Sequence, residues 1–200
     1  SALKPYEIVS YGDTEVAFLG VSTPESIVKS TPAYFMDESG AFDYDFYGGS
    51  GEELYAQVQE TVDECREKGA DYVIVLAHLG DDETSAPFRS TDLIAGTTGI
   101  DAVLDGHSHS VIPCDVVNNK DGEKVLLSST GTGLTNIGQL VITADGNLIA
   151  GLISDFPDKD TETDSFVKGI QSQYEAELEQ VVAHTDVPLT TASESGIRLI

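Results

Sequence analysis

The chain has 200 residues, of which 40% are hydrophobic, so it can bury a core and wholesale disorder is excluded. Ten Lys and Arg against 35 Asp and Glu give a formal net charge of −25, which excludes general electrostatic binding of nucleic acid or of an anionic membrane. No stretch approaches the roughly 18 apolar residues that a membrane span needs. An anionic substrate would need a metal ion or a few placed groups that reverse the sign locally.

The first 49 residues predict two strands, a short helix and a loop. Apolar and β-prone residues flank a Gly12-Asp13 turn in "YEIVSYGDTEVAFLGV", which is typical of two strands. A short helix is predicted in "STPESIVKS", with Pro24 near its first turn. Residues 31–49 carry Pro, Gly and aromatic residues without a period, so they are predicted to form a loop with at most a short strand.

A helix followed by a strand is predicted after residue 49. Ser50 and Glu53 have the spacing of a capping box, and Gly69 supplies the stop. One face of the helix is apolar: Leu54, Val58, Val62 and Cys65. The continuous apolar run "DYVIVLA" then predicts a strand covered on both faces, and it ends at His78.

The same unit then repeats. Ser90 or Thr91 is predicted to cap a short helix through "DLIAGTT", and "IDAVLD" is a second buried strand that ends at Gly106-His107. Two helix-then-strand units in a row imply an α/β layer. Both strands deliver histidines at their carboxyl ends, which is where open α/β sheets bind their ligands.

The second half is predicted to have α+β character. Residues 110–156 are β-rich, with turns at 120–122 and 144–146, and predict a largely antiparallel meander. Residues 161–185 predict a long amphipathic helix. Its apolar residues recur at three- or four-residue steps: Phe166, Val167, Ile170, Tyr174 and Leu178.

Three histidines are the candidate metal ligands. His78, His107 and His109 each lie at the end of a strand or in the turn after it, where a rigid backbone can hold an imidazole for Zn or another divalent transition metal. Gly106 lets the chain turn sharply there. The alternative is a set of strand-end histidines that make ordinary hydrogen bonds. His184 lies apart from these three histidines in the sequence and is predicted to be solvent-exposed.

Three carboxylates near the histidines have two interpretations each. Asp81 and Asp82 could add oxygen ligands or be hydrated loop residues, and Asp105 could orient His107 or point away along the strand.

Cys65 and Cys114 lack CxxC spacing and are predicted to be two buried free thiols rather than a disulfide. A structural zinc domain is disfavoured because such sites prefer clustered cysteines.

The segments "AHLGDD", "STDLIAGTTGIDAVLDGHSHS" and "LLSSTGTGLTNIGQLVIT" resemble the 5′-nucleotidase branch of the calcineurin-like metallophosphoesterases, which includes 2′,3′-cyclic-nucleotide phosphodiesterases. The resemblance covers most of residues 3–190. It implies a four-layer α/β/β/α sandwich, nucleotide phosphate esters as substrates, and two divalent ions that could be Zn, Mn, Fe or Co. It also implies that His78 and His107 ligate one ion, while His109 ligates the other.

The family's D-x-H, G-D and G-N-H-[DE] motifs are expected upstream of Ser1, so no catalytic residue is expected within the chain. Residues 1–188 are therefore predicted to be the C-terminal part of a metallophosphatase domain, and residues 189–200 the start of a linker to a further domain. The chain alone is expected to be inactive and to hold at most one ion weakly. Its expected partners are the N-terminal half of the domain or a second copy, through an exposed docking surface.

Two further expectations complete this interpretation. The resemblance implies an extracellular, cell-wall or periplasmic location, and neither the acidity nor the low lysine content opposes it. The alternative to a phosphoesterase is a non-catalytic metal- or partner-binding surface module that keeps the fold and its histidines.

Overall fold

The computed structural model describes residues 4–43 and 46–186. The chain divides into two compact units, Ser1–Ser154 and Asp155–Ile200. The first unit contains both β-sheets, and the second contains the long helix. The predicted domain boundary at residue 188 stays a prediction, and the predicted linker lies outside the described residues.

Most strands of the first unit join one mixed sheet. The strands are β1 Tyr6–Tyr11, β2 Thr14–Ser22, β3 Tyr72–His78, β4 Ala102–Asp105, β5 Val111–Asn118, β6 Lys124–Thr130, β7 Ile137–Ile142 and β8 Leu148–Ile153. A six-stranded sheet has the order β1-β2-β3-β4-β6-β5, in which β2, β3, β4 and β6 are parallel neighbours and the two edge strands are antiparallel. Strands β7 and β8 form a separate antiparallel pair.

The helices follow the predicted order. They are α1 Ser26–Lys29, α2 Glu52–Glu67, α3 Ser90–Gly96 and α4 Thr161–Leu178, with short 3-10 turns at Pro32–Phe35 and Glu83–Ser85. Helix α2 connects β2 to β3 and α3 connects β3 to β4, so the predicted α/β arrangement is confirmed. None of the helices in the described ranges combines the length and the apolar composition needed to cross a membrane.

One face of the large sheet, here called the helix face, is fully packed. The predicted apolar residues of α2 are all buried there, together with Leu93 and Ile94 of α3. Gly69 ends α2 with φ +92°, as predicted for a glycine stop. Burial of this apolar stripe stabilises the fold at roughly 25 cal/mol per Å² of area removed from water.

The opposite face, here called the hairpin face, is only partly covered. Val16, Ile74 and Ala102 are buried there, and side chains of the β7–β8 pair pack against them. Leu76 is 47% exposed, so the prediction that β3 is covered on both faces is wrong at this end of the strand. An apolar groove of about 570 Å³ runs along this face. It is lined by Tyr11, Thr14, Val16, Phe18, Ile74, Leu104, Leu140, Val141, Ile142, Thr143 and Ala144.

The predicted helix caps are wrong at both starts. Helix α2 begins after Gly51, whose φ of +86° is left-handed and whose Cβ, if present, would meet the Tyr55 hydroxyl at 2.7 Å. The N-cap is therefore Gly51 rather than Ser50, because only glycine fits the left-handed backbone and the close contact with Tyr55 at this position. Helix α3 begins after Arg89, whose backbone N–H donates to the Asp92 carboxylate at 3.2 Å.

The predicted antiparallel meander is also corrected. Strand β6 pairs with β5 in an antiparallel manner but lies parallel beside β4, so it is an interior strand rather than part of a separate meander. Its buried run, Leu127 to Ser129, matches that interior position. The predicted turns are confirmed by left-handed Gly122 and Gly146.

The remaining local predictions have mixed outcomes. The predicted loop over residues 31–49 is mostly irregular at 31–43 and 46–49, apart from the 3-10 turn and an isolated Met36–Phe42 bridge, and residues 44–45 lie outside the described residues. A helix is confirmed from Thr161, where the Asp160 side chain caps it by accepting from Thr163 N at 2.7 Å, but it ends at Leu178 rather than at residue 185 as predicted. Both cysteines are free, but only Cys65 is buried. Cys114 is exposed on edge strand β5, so its predicted burial is wrong.

Candidate metal centre

The candidate site lies at the carboxyl ends of three adjacent parallel strands. His78 is the last residue of β3, His107 follows the end of β4 by two residues, and Glu25 follows the end of β2 by three. Because β2, β3 and β4 are parallel neighbours, their ends meet at one edge of the sheet. This is the edge where open α/β sheets bind ligands.

His78 and His107 face each other across this edge. The Nε2 atom of His78 and the Nδ1 atom of His107 are 3.3 Å apart, and their ring centroids are 4.9 Å apart at an interplanar angle of 66°. Two nitrogens bound to one tetrahedral zinc ion, each at about 2.05 Å, are about 3.3 Å apart. The separation is therefore compatible with a shared divalent ion, and it is also that of a hydrogen bond between the two rings.

The second ring nitrogen of His107 contacts Glu25. The distance from His107 Nε2 to Glu25 Oε2 is 2.8 Å, and the same carboxylate pairs with Lys29 Nζ at 2.6 Å. The Lys29 ammonium, followed by the His107 ring, holds the pKa of Glu25 below its ordinary value. Sequence reasoning did not single out Glu25 as a site residue, although it lies in the segment predicted to be a short helix.

The carboxylates of Asp81 and Asp105 tie the two histidine loops together. Asp81 Oδ1 accepts from the hydroxyls of Ser108 and Ser110, both at 2.6 Å, and these bonds lower the pKa of Asp81. Asp105 Oδ1 accepts from the backbone N–H groups of Leu79 and Gly80 at 3.0 and 3.2 Å. Asp105 therefore fixes the loop that follows β3 rather than orienting His107. Asp82 is exposed.

The backbone at the site is strained. His107 and His109 have φ values of +81° and +59°, in the left-handed region that non-glycine residues rarely adopt. Glycines make the close approach of the loops feasible. A Cβ on Gly80 would meet His107 Cδ2 at 3.3 Å, and a Cβ on Gly106 would meet His78 Nδ1 at the same distance.

The structure brings together two of the three predicted ligands. His109 is exposed, and no group of three or more His, Cys, Asp or Glu side chains that could hold one ion occurs within residues 4–43 and 46–186. The three-histidine metal assignment therefore stays a prediction. His184 lies in the second unit and is exposed, as predicted.

Comparison with known proteins places the chain in a family. The model of the family described as "Bacterial capsule synthesis protein PGA_cap" matches residues 1–151. The trifunctional nucleotide phosphoesterase YfkN of Bacillus subtilis is 24% identical over 199 residues, which cover 94% of this chain and 12% of that protein. The 2′,3′-cyclic-nucleotide 2′-phosphodiesterase/3′-nucleotidase of Salmonella typhimurium is 39% identical over 71 residues, which cover 32% of this chain and 11% of that protein.

Solved structures show the same fold. A 5′-nucleotidase precursor from Thermus thermophilus superposes with a TM-score of 0.64 at 23% identity, covering 90% of this chain and 36% of that one. The calcineurin-like phosphoesterase YfkN from Bacillus subtilis superposes with a TM-score of 0.60 at 19% identity, covering 90% and 60%. The predicted resemblance is thereby confirmed: the chain belongs to the family described as bacterial capsule synthesis protein PGA_cap and has the fold of the calcineurin-like phosphoesterases.

Proposed function

We propose that the chain is part of a dimetal phosphoesterase that hydrolyses nucleotide phosphate esters, either 5′-nucleotides or 2′,3′-cyclic nucleotides. The observation that carries the proposal is the 3.3 Å separation of His78 Nε2 and His107 Nδ1 at adjacent strand ends. The nucleotide phosphoesterases among its relatives support the substrate class.

The three histidines have separate tasks in this proposal. His78 and His107 hold one divalent ion and His109 holds the second, as the resemblance implies. The ions would supply Lewis acidity that activates water and neutralises charge on the phosphoryl group. A local positive centre of this kind is what a chain of net charge −25 needs in order to accept a phosphate ester.

The remaining site residues fix the geometry. Asp81 joins the β3 loop to Ser108 and Ser110, on either side of His109, and Asp105 holds the backbone after His78. These contacts keep the imidazoles in place before any ligand arrives, which is the preorganisation that metal binding and catalysis require.

We propose that the 200-residue chain by itself does not turn over phosphate esters and holds at most one ion weakly. Supporting this, the described part of the chain presents two converging imidazoles but no set of three metal-binding side chains. Structural and catalytic zinc sites usually have three or four protein ligands. The remaining ligands and the catalytic groups would come from the rest of the phosphoesterase domain.

Calorimetric titration of Zn²⁺ and Mn²⁺ into the chelator-treated chain tests the metal centre. We expect weak binding that is lost in His78→Ala and in His107→Ala, because each removes one of the two facing nitrogens. His109→Ala should retain this binding, and His184→Ala is the matched control because His184 lies in the other unit. Binding that survives both His78→Ala and His107→Ala would contradict the assignment. A wild-type chain that binds neither metal would mean that these histidines hold an ion only together with the remaining ligands of the domain.

Hydrolysis assays with 5′-AMP, 2′,3′-cyclic AMP and bis-p-nitrophenyl phosphate test the reaction. We expect no turnover by the 200-residue chain at saturating Zn²⁺ or Mn²⁺, and turnover by a protein that joins it to the remainder of the domain. In that longer protein His107→Ala should abolish activity, while His184→Ala should leave it unchanged. Turnover by the short chain would show that its own residues suffice.

A non-catalytic metal- or partner-binding surface module is the second candidate. It is favoured by the family description, which refers to capsule synthesis, and by the absence of a three-ligand group in the described residues. The same assays discriminate between the two functions. A module of this kind would bind metal through His78 and His107 yet hydrolyse none of the three esters in its longer form.

Location and oligomeric state complete the proposal. The resemblance supports an extracellular, cell-wall or periplasmic location. The apolar groove on the hairpin face supports association with the remainder of the domain or with a second copy. Sedimentation velocity over a range of concentrations tests the second copy, since a chain that stays monomeric throughout would exclude a homodimer.

A further inference from the structure

We infer that Glu25 is a positioning residue for His107: it accepts the Nε2–H of the ring and so turns the Nδ1 lone pair toward His78. The inference rests on the proposed metal centre, and nothing in the sequence pattern of the histidines points to Glu25. Its basis is the 2.8 Å contact between Glu25 Oε2 and His107 Nε2.

The tautomer of His107 follows from the chemistry of its two neighbours. An ionised carboxylate only accepts hydrogen bonds, so the nitrogen that faces it must carry the proton. In a neutral imidazole the other nitrogen is then an acceptor with a free lone pair. That nitrogen is Nδ1, and it is the one that lies 3.3 Å from His78 Nε2. Glu25 therefore leaves the ligating nitrogen of His107 unprotonated.

Glu25 is itself held in place. Lys29 Nζ binds the same carboxylate oxygen at 2.6 Å, and Ser85 Oγ donates to it at 3.4 Å. The side chains of Glu25 and His107 are 20% and 14% exposed, so water competes little for their contact. A fixed, mostly buried acceptor is the arrangement that sets the orientation of a ligating imidazole.

The backbone of the same segment also reaches His78. Thr23 is fully buried, its N–H donates to the carbonyl of His78 at 3.0 Å, and its hydroxyl accepts from Glu25 N at 3.2 Å. The segment after β2 thus contacts both proposed ligands, one through its backbone and the other through a carboxylate. This links the orientation of the two imidazoles to a third strand end.

The first measurement is the ring tautomer of His107 by long-range ¹H–¹⁵N correlation in the metal-free chain, on the alkaline plateau where the ring is neutral. The wild type should show the Nε2–H form. Glu25→Ala should lose this preference, whereas Glu25→Gln should retain it because the amide oxygen still accepts. Glu38→Ala, which removes an exposed loop carboxylate, is the matched control and should leave the spectrum unchanged.

The second measurement is the zinc affinity of the same variants. Loss of a carboxylate partner to a ligating histidine lowers metal affinity by about 10- to 100-fold, and this is the loss expected for Glu25→Ala. Glu25→Gln should lose less, and Glu38→Ala should lose nothing. If Glu25→Ala does not fold, Glu25→Asp keeps the charge but withdraws the carboxylate by one methylene, and it should also lose the Nε2–H form.

The outcomes separate this inference from the proposed function. If the wild-type chain binds zinc but Glu25→Ala keeps both the Nε2–H tautomer and the affinity, the role of Glu25 is overturned and the metal centre stands. If neither the wild type nor any variant binds zinc, the chain alone does not form the metal centre, and the tautomer spectra still decide whether Glu25 positions His107. An Nδ1–H ring in the wild type overturns the inference in either case.

Discussion

The two faces of the six-stranded sheet are built from alternate residues of the same strands, yet they are packed very differently. On the helix face, Val73 and Val75 lie in a continuous core with α2 and α3. On the hairpin face, Ile74 is buried under the β7–β8 pair but Leu76, two residues further along, is 47% exposed. The difference arises because α2 and α3 cover the helix face fully, whereas the β7–β8 pair covers only part of the hairpin face. The strand residues themselves are equally apolar on both faces.

The packing of β3 shows how much a continuous apolar run predicts. A continuous apolar run predicts that a strand has apolar surroundings on both faces, but it does not state which element covers which residue. For β3 the helix face is covered by segments adjacent in sequence. The hairpin face depends on residues 137–153, which cover only part of it and leave the apolar groove.

The largest expected effect is on the helix face. Leu93 is fully buried, so Leu93→Ala should lower the free energy of unfolding by about 2–5 kcal/mol, because it removes buried methylene groups and leaves a cavity. The identical change on the other face, Leu76→Ala, should cost about 1 kcal/mol or less because much of that side chain is already in water. Urea unfolding followed by circular dichroism measures both.

Equal losses of unfolding free energy for the two variants would contradict the difference in packing between the two faces. Such a result would mean that the hairpin face is covered in solution, for example by a second copy of the chain. Repeating the Leu76→Ala measurement at several protein concentrations separates this explanation, since a dimer contact makes the loss depend on concentration.

A smaller effect is expected at the start of α3. The Arg89 guanidinium pairs with the Asp92 carboxylate at 2.7 Å, and this contact, followed by the hydrogen bond from Arg89 N, holds the pKa of Asp92 below its ordinary value. Asp92→Asn should therefore lower the free energy of unfolding by about 1 kcal/mol at neutral pH.

The sign of the pH dependence follows from the lowered pKa. A carboxyl whose pKa is depressed on folding contributes its stability above its unfolded pKa of about 4, and this stability is lost as the pH falls through the folded value. The wild type and Asp92→Asn should thus converge in urea titrations below about pH 4. A difference that stays constant down to pH 2 would place the effect of the substitution elsewhere.

The smallest effect is expected on the hairpin face, where polar contacts lie near solvent. Tyr72 Oη donates to the carbonyl of Gly146 at 2.9 Å, which joins β3 to the turn between β7 and β8. Tyr72→Phe should cost about 0.5 kcal/mol, at the low end for a hydrogen bond, because water can replace the exposed partner. A loss above about 2 kcal/mol would show that this bond is shielded, and that the hairpin face is better covered than the structure indicates.

Much of the fold could be predicted because its signals are local. The apolar face of α2, the stop at Gly69 and the strand that ends at His78 each depend on residues within one turn or one strand. The position of β6 could not be predicted in this way. Its pairing with β4 depends on which strand edge is free in three dimensions, and the sequence of β6 alone suits either neighbour.

The site was predictable to the same extent. His78 and His107 follow buried strands, so their meeting at one sheet edge was expected and is observed. Glu25 escaped prediction because β1 and β2 look like a simple hairpin in sequence. Only the parallel pairing of β2 with β3 brings the end of β2 to the histidines. Glu25 would join the candidate site residues if the residues after every parallel strand were counted at the same sheet edge.

The left-handed backbone of His107 and His109 has a consequence for how the sequence can vary. A side chain at such a position costs of order 1 kcal/mol that glycine would avoid, so selection for folding alone would favour glycine at both positions. The chain instead holds imidazoles there, next to Gly106, where glycine is already in use. In the proposed metal centre both side chains supply ligating nitrogens, and that role would explain why imidazoles rather than glycine stand at two positions whose backbone glycine adopts more easily.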